Sequence, residues 1–433
     1  MAETQKMILA PWVNLEFETP NDQSCFFGYY YHSPVSSNGL YLLAHRAKFD
    51  GRDITALDEV EIGYFDLRDG AWNCIGISKA FNWQQGAMLQ WIGPDFNTRI
   101  IFNDQEEDRF ISRIFTIKSG NRRKLKYPIY DLHPSGEYAL GVYFERHFYT
   151  RAYHYEGIRN DFFDLPIHPD DGILKIDLNS GNASVIIKTS DIAVFGSENI
   201  NCDVNHWLEH LTWNPSGSRF YFLHRYGGND SYVTRVFTAN PDGENLYSLP
   251  DDYGVSYTHM GWRDDNTFVN YFTKTKPLGQ SYSLFVDKKK PLIDLLLKMI
   301  RIIKRLFPND FVDRQRAISG YQLVCDQGKL GDLISTGLLR LDGHPSWTRD
   351  RRFMLTDTYA DKDGYRHLLI FDSYKNQVHV VGKFFSPYNN SSYRCDLHPR
   401  LSFDDKRIII DTAHSGKRQI LILSVEWDYL LNI

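Results

Sequence analysis

Motifs that bind phosphate or activate a nucleophile are missing from this sequence. It has no GxxxxGK[ST] loop, no GxGxxG after a predicted strand, no HExxH and no GxSxG elbow. Clusters of cysteine and histidine with zinc-finger spacing are missing as well. Nucleotide-driven reactions and serine-hydrolase chemistry are therefore not expected.

Cysteine is scarce, and positive charge is not in excess. The five cysteines show no CxxC spacing and are odd in number, which disfavours a disulfide framework and predicts reduced core thiols. The net charge of -5 gives no electrostatic reason to expect nucleic acid as a partner. The first residues, MAETQKMILAPWVNLEFETP, lack the charged-then-apolar pattern of a signal peptide, so we expect a cytoplasmic location.

A repeated unit dominates the rest of the chain, in which 15% of residues are aromatic. Each unit has an apolar-facing residue, a turn with Pro, Ser, Asp, Asn or Gly, and a strand of Tyr, Phe, Ile, Val and Leu. The seven units open at His32, Met88, Ile129, His210, His259, His344 and His398. Repeats of about 40 to 50 residues predict an all-β, seven-bladed β-propeller that spans residues 1–433 as one domain. The N-terminal PWVNLEFE is expected to add a strand to the last blade and close the ring.

Two insertions lengthen the repeat, at about residues 146–172 and 287–320, and we expect both in loops, where function tends to lie. Within the second, residues 291–307 predict an amphipathic helix with a proline at its start and another just past its end. The helix is too short and too charged to span a bilayer. It fits a peripheral contact with the inner face of the membrane, an oligomer contact, or burial against the propeller.

Five of the 15 histidines occupy the same place in their units, three residues before a hydrophobic anchor. They are His32, His210, His259, His344 and His398. Because the first strand of each blade lines the central channel, we expect these imidazoles to converge on one rim. Imidazole is the commonest ligand of divalent transition metals, and Asp396 lies two residues before His398, on the same strand face. The pattern predicts a metal site of His259, His344, Asp396 and His398, with His210 adjacent.

The stretches GHPSW, DLHPRLSFDDKRIIIDTAHSGKRQI and EHLTWNPSG give the chain a resemblance to the oligogalacturonate lyases. This resemblance implies a seven-bladed propeller that holds a manganese-type ion in its channel through three histidines and a glutamine. It also implies cleavage of uronate oligosaccharides by β-elimination. The lone histidine ligand matches His259 or His344, and the second of the clustered pair matches His398. Asp396 stands at the first clustered histidine and Tyr393 at the glutamine. The predicted cofactor is a divalent metal, Mn²⁺ first, with Zn²⁺ or Ca²⁺ as alternatives.

Two blades end their second strand alike, in LLAHR and YFLHR. A β-elimination needs a base near the proton beside the sugar carboxylate. We predict His224 as the base, with His45 as second choice, whereas the resemblance implies an arginine base and favours Arg225. An arginine can also bind an anionic sugar in bidentate fashion. Substrate-binding candidates are Arg46, His210, Arg146 and Tyr393, together with Arg151, Tyr153 and His154 in the first insertion.

The leading hypothesis is a metal-dependent lyase that acts on an acidic oligosaccharide or polysaccharide. A non-catalytic propeller that binds a glycan or a protein at the same rim is the main alternative. A glycoside hydrolase is the third, because it needs paired carboxylates and Asp357, Asp361 and Asp411 lie in the last two blades.

Overall fold

The computed structural model describes residues 6–150, 153–196, 202–228, 231–250, 255–275, 316–388 and 392–432. Their strands form seven antiparallel sheets, six of four strands and one of five. The sheets are formed one after another along the chain, and the last sheet contacts the first. The prediction of a seven-bladed propeller is therefore confirmed, and we number the blades I to VII in chain order.

The first three blades contain twelve strands. Blade I has Ser24–Phe26, Tyr41–Ala47, Val60–Asp66 and Trp72–Ser78; blade II has Gln90–Trp91, Arg99–Glu106, Arg109–Thr116 and Arg122–Leu125; blade III has Asp131–Leu132, Tyr138–Gly141, Gly172–Asp177 and Ala183–Lys188. Short helices accompany blade III. They are the 3₁₀ helix Phe144–Thr150 and the α-helices Asp161–Asp164 and Thr189–Val194.

The last four blades contain the remaining strands. Blade IV has Asn205–Trp213, Phe220–Gly228, Ser231–Ala239 and Tyr247–Ser248; blade V has Val255–Trp262, Thr267–Thr275, Arg316–Cys325 and Leu330–Ile334; blade VI has Ser346–Trp347, Phe353–Asp357, Tyr365–Asp372, Gln377–Phe385 and Met7–Leu9; blade VII has Arg400–Leu401, Arg407–Thr412, Gln419–Val425 and Val13–Glu18. The 3₁₀ helix Gly337–Arg340 follows blade V, and the α-helix Trp427–Asn432 follows blade VII.

The N-terminal strand closes the ring as the sequence predicts. Val13–Glu18 pairs antiparallel with Gln419–Val425, so that Val13 lies opposite Val425. The strand just before it, Met7–Leu9, pairs with Gln377–Phe385 and is the fifth strand of blade VI. The first residues of the chain therefore tie the last two blades together.

The core lies between neighbouring blades, because successive side chains of a strand face opposite sides of its sheet. In Gln419–Val425, Ile420 and Ile422 pack into the apolar cluster of blade I. Leu421 and Leu423 pack with blade VI. All four side chains are at most 1% exposed. A fully buried Leu or Ile side chain contributes about 1.5 to 3 kcal/mol to stability. This one strand of blade VII therefore holds blade I and blade VI together.

A segment of three tyrosines blocks the channel, and we call it the tyrosine plug (Tyr29 to Tyr31). The plug follows the first strand of blade I. The hydroxyl of Tyr30 donates to the carbonyl of Met260 at 2.7 Å. Arg400 donates to the carbonyls of Gly28 and Tyr29, at 2.5 and 2.9 Å. The plug separates the two ends of the channel from each other.

Because of the plug, the predicted place of His32 is wrong. Blade I keeps its anchor, since Val35 bridges to Leu42. However, the chain leaves the strand geometry before that anchor and passes through the channel. His32 consequently lies at the opposite end from the other four histidines, with its Nε2 atom 3.6 Å from Asp131. Only four histidines converge on the predicted rim.

The inserted segments differ in what can be described. The predicted helix 291–307 lies outside the described residues, as do Arg151 and most of the second insertion. Among the described residues, no helix is long and apolar enough to cross a membrane. Of the five cysteines only Cys25 and Cys395 are buried, so the prediction of core thiols is wrong for the other three.

Candidate metal centre

Backbone irregularities turn the histidines into the channel. His210 and His398 have positive φ angles of 54° and 44°, and Met88 has 48° at the same place in blade II. The first strand of blade IV shifts register between Glu209 and Thr212, around His210. A left-handed conformation costs a non-glycine residue about 1 to 2 kcal/mol. Strain of this kind tends to persist where the side-chain direction has a function.

Four histidines line one small cavity at this end of the channel. They are His210, His259, His344 and His398. The ring centroid of His344 lies 4.2 Å from that of His259 and 4.2 Å from that of His398. Tyr30 of the plug lies against the same rings, and its ring centroid is 5.0 Å from that of His344. The cavity volume is about 10 Å³, which suits a single water molecule or ion.

Carboxylates behind the rings fix their orientation. His259 donates from Nδ1 to Asp342 at 2.9 Å, and His344 donates from Nδ1 to Asp357 at 2.8 Å. Asp357 also accepts the backbone N–H groups of His344 and His398, at 2.8 and 3.2 Å. Metal-binding histidines commonly donate their other ring N–H to a carboxylate in this way. The Nε2 atoms of His259 and His344 therefore remain available as ligands.

Asp396 completes the group. Ligand atoms of His344, Asp396 and His398 all lie within 4.8 Å of one another. Metal bonds to such ligands measure about 2.0 to 2.2 Å, so two ligands of one ion can lie up to about 4.4 Å apart. Small side-chain rotations suffice to bring all three onto one ion. The residues present fit a divalent metal.

Two arginines share the Asp396 carboxylate. Arg366 lies 2.6 Å from Oδ1, and Arg394 donates to Oδ2 at 2.7 Å. Burial alone would raise the pKa of Asp396, but the two guanidinium groups outweigh it and hold that pKa far below its usual range. Burial lowers the pKa of His344 and of His398. Near neutral pH the aspartate is ionised and these two imidazoles are neutral, which are the forms that bind metals.

A second acid–base group faces the same cavity. His210 Nδ1 lies 3.5 Å from Oε1 of Glu209, and Glu209 forms an ion pair with Arg225. Burial alone would raise the pKa of Glu209, but Arg225 and His210 lower it to about 2. The Tyr153 ring lies over His210, with centroids 5.2 Å apart. His210 is thus held by an ionised carboxylate.

The two histidines predicted as the base do not line this cavity. His45 donates from Nδ1 to the carbonyl of Phe26 at 3.2 Å, and its Nε2 accepts the N–H of Ala87 at 3.0 Å. His224 lies 3.0 Å from Nδ1 of His206 and is fully buried. Both face the packing between or within blades, because the side-chain alternation of the second strand turns them away from the channel.

Three of the predicted substrate-binding residues are also occupied elsewhere. Arg46 pairs with Asp22 at 2.9 Å at the edge of blade I. Arg146 is 1% exposed and donates to four backbone carbonyls, including that of His206 at 2.6 Å. The Tyr393 ring packs near Tyr388, with ring centroids 6.0 Å apart. None of the three lines the cavity, and Arg225 reaches it only through Glu209.

Two glutamines that the sequence did not indicate as site residues lie at the cavity. Gln84 and Gln85 line the cavity from the linker between blades I and II. Their Nε2 atoms donate to the carbonyl of Arg394 at 2.9 Å and to the hydroxyl of Tyr130 at 2.8 Å. Both Oε1 atoms are buried and have no hydrogen-bond partner among the described residues. The only sequence signal was the pair of adjacent polar residues in NWQQGA, outside the repeat.

The carboxylates considered for a glycoside hydrolase are all paired. Asp357 binds His344, Asp361 accepts from His367 at 2.9 Å, and Asp411 pairs with Arg400 at 3.1 Å. None of the three lines the cavity. The described residues give no support to a hydrolytic pair at this site.

Two solved structures resemble the chain over nearly its whole length. An oligogalacturonate lyase in complex with manganese matches with a TM-score of 0.62 and 15% sequence identity, covering 96% of this chain and 94% of its own. The fold is shared. The oligogalacturonate lyase of Vibrio parahaemolyticus gives a TM-score of 0.59 at 14% identity, with the same coverage. The predicted resemblance to these lyases is thus confirmed at the level of the propeller fold.

No protein-family model and no curated protein matches the sequence. At 14 to 15% identity, the two structures establish the fold and leave the chemistry to the site itself.

Proposed function

We propose that the chain is a metal-dependent lyase that cleaves uronate-containing glycans by β-elimination. One observation carries the proposal: His344 and His398, which form a metal-competent group with Asp396, line the same cavity as His210, which is paired with Glu209. The fold shared with two oligogalacturonate lyases, one of them a manganese complex, supports Mn²⁺ as the first candidate ion.

His344, Asp396 and His398 would hold the ion, with His259 beside them. A bound dication would stabilise the negative charge that develops on the sugar carboxylate when the neighbouring proton leaves. The amide oxygens of Gln84 and Gln85 can complete its ligand set. They would take the part of the glutamine that the resemblance implied, where this chain has Tyr393.

Charge balance favours an anionic substrate only when the ion is present. Around the cavity, the carboxylates of Asp342, Asp357 and Asp396 outnumber the guanidinium groups of Arg366 and Arg394 by one. With neutral histidines this balance is net −1. Burial alone would lower the pKa of His259, but Asp342 outweighs it and raises that pKa, so a protonated His259 brings the balance to zero. In either case a dication makes the balance positive, which attracts a uronate carboxylate.

His210 is the base in this proposal, in place of His224, His45 or Arg225. Its Nε2 atom accepts the proton from the carbon next to the carboxylate. The electrons of that C–H bond form the new C=C bond, the C–O bond to the leaving sugar breaks, and the leaving oxygen takes a proton from water. Ionised Glu209 stabilises the imidazolium, and Arg225 keeps Glu209 in position. Because the cavity is small, Tyr153 has to move off His210 before a sugar can reach it.

The test is the formation of an unsaturated sugar, followed by its ultraviolet absorbance. Protein treated with a chelator and then reloaded with Mn²⁺ is incubated with oligogalacturonate. The expected result is product only after reloading, lost in His344→Ala and kept in the control His379→Ala, which changes a histidine outside the cavity. Tight Mn²⁺ binding without product from any uronate glycan would contradict the lyase proposal and favour a binding propeller.

A further inference from the structure

A second cavity lies on the other side of the tyrosine plug, and we call it the lower cavity. Tyr30 lines both cavities, so the two lie back to back. The lower cavity is larger, with a volume of about 300 Å³ against about 10 Å³. It opens at the opposite mouth of the channel, because the anchor residues that line it follow the histidines along each first strand.

Tryptophans from four blades form its wall. Trp91, Trp213, Trp262 and Trp347 all line the lower cavity, and each occupies the anchor position of its repeat. These residues are at most 9% exposed, so each ring is held rigidly and only a small part of it faces the cavity. Flat aromatic surfaces of this kind pack well against the C–H faces of a sugar ring.

Two polar side chains in this cavity have no partner. His32 Nε2 and Ser346 Oγ are buried and make no hydrogen bond among the described residues. His32 Nε2 lies 3.6 Å from Asp131 Oδ1, which is too far for a hydrogen bond. Buried polar groups are rarely left unpaired in folded proteins. Both atoms are covered by protein, so each side chain has to turn toward the cavity before it can bind a hydroxyl group of a ligand.

Two further charged residues line the cavity, Arg349 and Asp405, and because they carry opposite charges the lining offers no net charge to an ionic ligand. Arg400, the buried cation of the lining, already binds Asp411 and the plug carbonyls. Arg263 lies over the Trp347 ring at 5.9 Å, so this ring already contacts a cation. Burial lowers the pKa of His32 to about 3 and raises the pKa of Asp131 to about 8, so both are mostly uncharged near pH 7.

We propose that the lower cavity binds one ring of a neutral sugar. A volume near 300 Å³ lies at the lower end of the range for small-molecule sites. The tryptophan walls would contact the ring faces, and His32 and Ser346 would bind its hydroxyl groups. This site is independent of the proposed lyase chemistry, since the tyrosine plug separates the two cavities.

The test uses the whole chain and its own tryptophan fluorescence, because four of the nine tryptophans line this cavity. The probes are methyl β-D-galactopyranoside, methyl β-D-glucopyranoside and D-xylose, each titrated with and without a chelator. Ser346→Leu fills the cavity. Ser190→Leu, at a half-buried serine on the outside of blade III, is the matched control.

We expect a saturable change with at least one probe, at a Kd in the millimolar range. It should be unaffected by the chelator, lost in Ser346→Leu and kept in Ser190→Leu. If Ser346→Leu does not fold, Ser346→Ala should weaken binding several-fold. The proposal is overturned if no probe gives a saturable change, or if the change survives the substitutions at position 346. Binding of galacturonate or choline in place of the neutral probes would overturn the ligand class.

The lyase proposal fails or stands on a different readout. Loss of metal or of unsaturated product would leave the sugar titration unchanged, and loss of the titration would leave the product assay unchanged.

Discussion

His344 donates from its Nδ1 atom to Asp357 at 2.8 Å, and Asp357 also accepts the backbone N–H of His398. One carboxylate of blade VI therefore positions two imidazoles from neighbouring blades. This links the registers of two first strands and explains why the rings reach one cavity, with the His344 and His398 centroids 4.2 Å apart.

Asp357→Asn should weaken Mn²⁺ binding by about 10- to 100-fold, as is typical when a carboxylate behind a metal-binding histidine is removed. The amide keeps the size of the side chain but accepts fewer hydrogen bonds. Calorimetric titration with Mn²⁺ measures the effect. Asp361→Asn is the control, since Asp361 binds His367 outside the cavity. Equal affinities of the two variants would contradict the role of Asp357.

His210→Gln should lower the rate of product formation by about 10²- to 10⁴-fold, the usual contribution of a general base. Mn²⁺ affinity should change little, because the ligand group is His344, Asp396 and His398. The product assay and the metal titration are run on the same preparation. A variant that keeps its rate would show that His210 is not the base, and a variant that loses its metal would place His210 among the ligands instead.

His45→Gln and His224→Gln should reduce stability and leave the chemistry in place. Each histidine is buried and hydrogen-bonded inside the blades, and leaving such partners unpaired costs about 1 to 3 kcal/mol. Denaturant unfolding gives the loss in free energy. A strong loss of rate in fully folded protein would restore the interpretation of these residues as bases.

Asp396→Ala should be more damaging than the loss of one ligand. Arg366 and Arg394 would remain near the cavity without their shared carboxylate, and breaking a buried ion pair from one side costs about 3 to 5 kcal/mol. Thermal unfolding without metal isolates this effect. The same melting temperature as the unmodified protein would contradict the ion-pair arrangement.

Leu421→Ala should lower the free energy of unfolding by about 2 to 5 kcal/mol, because it opens a cavity in the packing between blades VI and VII. Leu431→Ala is the control, as Leu431 is 42% exposed, and its effect should stay within about 0.5 kcal/mol. Comparable losses in both would contradict the account of how the ring is closed.

The repeat made most of the fold readable from the sequence. Anchors such as Trp213 and Trp262 recur with local turn chemistry, so the number of blades followed from the repeat, and closure by the N-terminal strand followed from the strand missing in the last blade. His344, Asp396 and His398 were readable from their position within the unit, although all three precede the first strand of their blade and the positive φ angle of His398 does not follow from strand alternation.

The rest depended on tertiary structure. His32 shares the spacing of the other histidines, but the tyrosine plug displaces it, and the plug is fixed by Arg400 from a blade far along the chain. The direction of His45 and His224 depends on which face of the second strand packs between blades. Gln84 and Gln85 lie in a linker, where no repeat marks them.

The metal content of the protein tests the central claim most directly. Chelator-treated protein is dialysed against Mn²⁺ and analysed for metal per chain, beside His344→Ala and His398→Ala. The account predicts about one ion per chain, lost in both variants. No bound ion at micromolar Mn²⁺, or equal binding by the variants, would contradict a metal centre at His344, Asp396 and His398.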